Sequence, residues 1–233
     1  MITPEQDAER VRTATEQLLH ALMKLDSAEV TQPSQLPGWT RAHVLAHLAR
    51  NADALVNVLA GQPMYRSAEA RDADIERGAG STLAELLDDV RRTASRLDTA
   101  FHGLTEEDWK RTVTLRNGVT DLASALPFRR WVEVELHHVD LGIGYTLEDL
   151  PGTFLDRELT TLARRFASHP DVPEAIELRA EDGRVWHTGA EPREGEPPLV
   201  VAGSPSALVG WLAGRTSGTG LSARGSLPKL PPL

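Results

Sequence analysis

The chain has no cysteine in 233 residues. That excludes a disulfide framework, a cysteine-built zinc knuckle, an iron–sulfur cluster on its own thiolates and a cysteine nucleophile. Lysine is scarce too: Lys24, Lys110 and Lys229 are the full set, so arginine carries nearly all the positive charge. Basic residues number 25 against 34 acidic ones, a formal charge of −9, which argues against nucleic acid as a partner. Neither a Gly-x-Ser-x-Gly elbow nor a Gly-x-Gly-x-x-Gly loop is present, which removes the commonest hydrolase and dinucleotide-binding designs. The longest uncharged run, Pro197 to Gly214, is interrupted by Pro198, Gly203 and Pro205, so no membrane span is expected. The N-terminus lacks a basic-then-apolar signal pattern, and a cytoplasmic location is the expectation.

What remains is an ordinary globular composition, 40% hydrophobic and 25% charged, long enough for one large domain or two small ones. Thr3-Pro4-Glu5-Gln6 reads as a capping box, and Ala8, Val11, Ala14, Leu18 and Leu22 recur at helical spacing to about Lys24. Thr40 caps a second helix through Val44, Leu48, Leu55 and Leu59 to Gly61. Pro63 to Gly80 is a charged connection with a turn of helix near Ala68–Ile75. Ser81 opens a third helix ending at Gly103, and Asn117-Gly118 marks a small hairpin. A fourth helix runs from Leu122 to Leu141. The last third changes character: a helix at Phe154–Ala167, a hairpin about Asp182-Gly183, a strand at Leu199–Ala202 and a helix from Ser204-Pro205 to Gly214. From Ser217 the tail is rich in Gly, Ser and Pro and reads as extended or loose. The fold class is therefore α followed by α+β: a four-helix bundle over residues 1–150 and a small α+β domain over 151–233.

The histidines cluster. His43 and His47 stand four apart on the second helix; His137 and His138 are adjacent on the fourth, with Glu133 four before His137. A spacing of four puts both side chains on one helical face. Glu133, His137 and His47 together make a two-imidazole, one-carboxylate set, which leaves a fourth zinc position open to water or substrate. His47 shares its stripe with Val44 and Leu48, whereas His43 belongs at the rim. Glu135 and His138 point elsewhere and read as surface or supporting groups. Arg129-Arg130 reads as a solvated turn, and Arg215 as a partner for the end of its own helix. Core or surface histidines without metal remain the alternative for each pair taken singly.

Leu36-Pro37-Gly38-Trp39-Thr40-Arg41-Ala42-His43 through His47-Leu48-Ala49-Arg50-Asn51, with Pro63-Met64-Tyr65 and Glu69-Ala70-Arg71, resembles the N-terminal domain of the mycothiol-dependent maleylpyruvate isomerases. Glu133-Val134-Glu135-Leu136-His137-His138-Val139-Asp140-Leu141-Gly142 is similar to their second signature, and Val200–Ser204 with Ala213-Gly214-Arg215 resembles their C-terminal domain. The resemblance implies a DinB-like four-helix bundle and a sterol-carrier-like α+β domain. It implies zinc on His47, Glu133 and His137, mycothiol as the thiol cosubstrate, and Arg215 as a catalytic residue. Pro127 stands where the pattern expects another residue, and a bend is expected there. The implied partners are a small anionic electrophile and a low-molecular-weight thiol; a monomer is the expectation for the chain, though no residue pattern fixes its oligomeric state. The implied reaction is the cis–trans isomerisation of maleylpyruvate to fumarylpyruvate. A mycothiol S-transferase acting on another electrophile, a non-catalytic metal-binding protein and a thiol-independent metal hydrolase are the alternatives.

Overall fold

The computed structural model describes residues 2–192 and 195–232; of the expected tail, Leu233 lies outside the described residues. The chain divides into two compact units, the first ending at Tyr145 and the second beginning at Thr146. The first contains α1 (Pro4–Leu22), α2 (Arg41–Leu59), α3 (Ala68–Ala79), α4 (Leu83–His102) and the one-turn α5 (Glu106–Trp109). The two-stranded ribbon β1 (Thr112–Thr114) and β2 (Thr120–Leu122) and then α6 (Leu126–Asp140) follow. α1 packs on α6 and α4, and α2 packs on α4 and α6, closing a ring of four helices with α3 laid against α2. The stripes read from the sequence are buried, among them Leu18, Leu22, Val44 and Leu48, and Val90, Leu97, Val134 and Leu141 of the other two helices are buried with them. Removing such side chains from water is the main force holding the ring. Thr3, Thr40 and Thr82 start their helices through capping boxes with Gln6, His43 and Glu85.

Three local expectations are corrected. α3 is a full three-turn helix because Ser67 caps it. Its one buried residue is Ile75, so an apolar period had almost nothing to register. α6 begins at Leu126 because Thr120–Leu122 pair with β1, Thr112 opposite Leu122. Pro127 lies in the first turn of α6, where a missing N–H costs nothing, and the helix runs unbroken to Asp140.

The second unit starts with α7 (Gly152–Phe166). It continues through β3 (Ala175–Ala180), β4 (Val185–Gly189), β5 (Leu199–Gly203), α8 (Pro205–Leu212) and β6 (Ser222–Ala223). The sheet order is β4-β3-β5-β6, with β3 antiparallel to β4, parallel to β5, and β6 antiparallel to β5. Part of the tail is thus strand. Both helices cover this sheet over Ile176, Leu178 and Val201. The Thr188 hydroxyl donates to Ala163 O at 2.8 Å and the Trp186 indole to Thr160 Oγ1 at 3.0 Å, fixing β4 on α7. Among the described residues no helix is long and apolar enough to cross a membrane.

Candidate metal centre

Two arginines set the register that builds the centre. Arg41, in the first turn of α2, donates to Leu141 O at 2.9 Å, to Gly142 O at 3.2 Å and to Glu29 O at 3.1 Å. It thereby satisfies carbonyls that the C-terminus of α6 would leave unpaired. Arg130, expected at a solvated turn, is instead 1% exposed. It donates from α6 to Leu48 O at 2.9 Å and Asn51 Oδ1 at 2.7 Å on α2. Burial pulls its pKa down to about 10. Its neighbour Arg129 is the exposed one, paired with Asp121 at 2.6 Å. Helical phase separates them: Arg130 lies three residues before Glu133, on the face that meets α2.

With the helices clamped one turn away, His47 from α2 meets Glu133 and His137 from α6. His47 Nε2 lies 2.9 Å, and His137 Nε2 3.2 Å, from Glu133 Oε2. The rings stand nearly perpendicular with centroids 4.7 Å apart. One ligand atom from each residue falls within 4.8 Å of the others, and among the described residues this is the one such cluster. Side-chain exposures of 8% for His47, 11% for His137 and 32% for Glu133 leave the carboxylate as the open edge. Donors about 2.0–2.2 Å from a tetrahedral ion would stand about 3.3–3.6 Å apart, and the two histidine nitrogens lie within tenths of an ångström of that separation from Glu133 Oε2. The donor set and spacing fit a zinc-like ion.

The trio has support that its spacing did not reveal. Asp140, 1% exposed, sits 2.7 Å from His137 Nδ1. This fixes which ring nitrogen faces Glu133, as carboxylates behind metal-binding histidines do. A His-x-x-Asp spacing on one helix was the available signal. Trp39 lies over His47 at 5.5 Å. His43 stays at the rim: Thr40 N donates to its Nδ1 at 3.2 Å and its Nε2 reaches Glu76 at 3.3 Å. Glu135 and His138 are buried, not surface groups. Glu135 accepts from Trp131 Nε1 at 2.8 Å and Tyr145 Oη at 2.7 Å, and His138 stacks on Tyr145 at 4.0 Å.

Charge in the cluster is strongly polarised. Burial raises the Glu133 pKa, yet bonds to His137 and His47 outweigh it and hold the carboxylate well below its usual range. Burial pulls the His47 pKa down despite Glu133. For His137 burial also opposes the charged ring, but Asp140 and Glu133 win and the pKa rises. Arg71 from α3 approaches the far side of His47, its Nη2 3.3 Å from Nδ1, and its guanidinium lies 5.8 Å from the Tyr65 ring. Tyr65 in turn lines a cleft of about 560 Å³ between the Gln62–Ala68 segment and the β1–β2 ribbon. Arg215 belongs to the second unit, where it donates to Ala213 O at 2.8 Å just past α8. The structure brings His47, Glu133 and His137 together as the spacing implied.

Residues 11–142 match the mycothiol maleylpyruvate isomerase N-terminal domain and residues 149–232 the C-terminal domain of that family. Among curated proteins none matches. A crystal structure of the mycothiol-dependent maleylpyruvate isomerase is 31% identical, with a TM-score of 0.89 over 99% of this chain and 97% of that one. A histidine-to-alanine mutant of the mycothiol-dependent maleylpyruvate isomerase is 30% identical, with a TM-score of 0.88 over the same shares. Both domains and nearly the whole length are matched, and the chain belongs to the mycothiol-dependent maleylpyruvate isomerase family.

Proposed function

We propose that this protein is a cytoplasmic, zinc-dependent isomerase that uses mycothiol to convert maleylpyruvate to fumarylpyruvate. The observation that carries the reading is the convergence of His47, Glu133 and His137 on one point, in a member of this family that has no thiol of its own. These three residues would hold the ion, and a bound zinc supplies the positive charge that keeps a thiol deprotonated near neutral pH. Asp140 keeps His137 in the tautomer that presents Nε2 to the centre. Trp39 and the helix walls limit water around His47. The thiol would supply a reversible addition to the cis double bond conjugated to the carbonyl: while the adduct lasts that bond would be single and free to rotate, and elimination would return the thiolate with the trans isomer. No atom is gained or lost. Arg215, assigned to the site by the family pattern, would stabilise the enolate or hold a carboxylate.

The test is a pair of variants. His47→Ala is expected to lose bound zinc and turnover together, whereas Arg215→Ala should retain zinc and lose turnover. Zinc retained by His47→Ala would refute the ligand set, and near-normal kinetics in Arg215→Ala would remove that residue from the mechanism. A zinc-loaded wild type inert toward maleylpyruvate but able to transfer mycothiol to another electrophile would be an S-transferase instead.

A further inference from the structure

We propose that Arg71, on α3, is a substrate-binding residue that receives a carboxylate of a dianionic substrate beside the metal centre. The inference rests on the zinc-site reading above, and it uses only the first unit. Arg71 is 14% exposed, with Nη2 3.3 Å from His47 Nδ1, its guanidinium 5.8 Å from the Tyr65 ring, and Nη1 2.7 Å from Asp72 Oδ1. Asp72 is 64% exposed, so solvent screens that pairing and it holds the fork only weakly. A guanidinium has donors and no acceptor. An imidazole that ligates through Nε2 carries its proton on Nδ1, and so has nothing to accept with. His47 as a ligand therefore cannot accept from Arg71 Nη2, which leaves that donor to Tyr65 or to a ligand beside the centre.

Charge points the same way. Around the trio, Arg71 and Arg130 stand against Glu133 and Asp140, with the exposed Asp72 on the outer side of Arg71. A divalent ion held there would add two positive charges, more than one thiolate would offset. Arg130 cannot meet a substrate anion directly, since it is buried on Leu48 and Asn51. Arg71 can, because its planar fork matches a carboxylate in two hydrogen bonds. Tyr65, which Arg71 lies against, also lines the neighbouring cleft of about 560 Å³.

The experiment is calorimetric titration of zinc-loaded protein, without thiol, using maleate and its monomethyl ester. Zinc content is measured in every variant. Wild type is expected to prefer the dianion, and Arg71→Ala to keep zinc and lose about 10–100-fold in maleate affinity, with little change for the ester. Arg71→Lys should recover part of the preference, and decides the matter on the same readout if Arg71→Ala fails to hold zinc. Equal discrimination between maleate and ester in wild type and variants overturns the proposal. Wild type that binds maleate through Arg71 but leaves maleylpyruvate unchanged would refute the isomerase reading alone. Unimpaired turnover and KM in Arg71→Ala would refute the Arg71 assignment alone.

Discussion

Single side chains decide whether the centre is a ligand set or a closed ion-pair cluster. His137 is the sensitive one, because Asp140 and Glu133 hold its proton above the usual histidine range against the effect of burial. A metal must displace that proton. Zinc affinity should therefore rise with pH while His137 is still protonated, by about tenfold per unit for one proton displaced, and level off above its raised pKa. Asp140→Asn removes the carboxylate behind the ring. It should weaken zinc binding about 10–100-fold and bring the levelling-off to lower pH, as competition with a chromophoric chelator would show. Unchanged affinity and an unchanged profile would mean that Asp140 does not orient the ligand. The spacing of four put Glu133 and His137 on one face of a helix, the stripe with Val44 and Leu48 separated His47 from His43, and the family resemblance implied the trio. Arg130 and Asp140 were not legible, since a buried arginine and a surface arginine are written with the same letter. Only the face that α6 turns to α2 separates Arg130 from Arg129.

Helices position these side chains, and their close approaches are set by small residues. A Cβ placed on Gly78 of α3 would stand 2.8 Å from the Ala46 Cβ on α2, next to His47. That contact lets α3 lie near enough for Arg71 to reach the ring. Gly78→Val should cost about 1–3 kcal/mol by overpacking, seen as a lower denaturant midpoint, and should weaken maleate binding with zinc content retained. Gly78→Ala combined with Ala46→Gly should restore part of both, and no recovery would show that the contact does not set the distance. α1 and α2 were readable from their capping threonines and apolar stripes, and α4 from its stripe, though its cap is Thr82, one residue past the expected Ser81. α3 was not, because Ser67 caps a helix of alternating alanines and charges with Ile75 as its one buried side chain. The hairpin at Asn117-Gly118 was visible through turn chemistry, with both residues at positive φ, but its second strand took Leu122 and a 3-10 turn took Ala123–Ala125 from the expected start of α6.

At the scale of the molecule, two units each bury their own core, and the order of bundle then α+β was already present in the change of pattern past residue 150. The balance of −9 opposes an anionic substrate at long range, so the centre must supply cations locally. Arginine, the positive residue this chain uses almost to the exclusion of lysine, does so at the centre itself. The missing cysteine gains meaning in the same way: the proposed chemistry needs a sulfur from outside the chain. The most direct measurement is maleylpyruvate turnover by one preparation with mycothiol present or omitted, and with zinc bound, stripped and restored. Turnover is expected only when both are present, and to return when zinc is added back. Turnover that persists without the thiol, or in the stripped protein, would contradict a metal-activated external thiol.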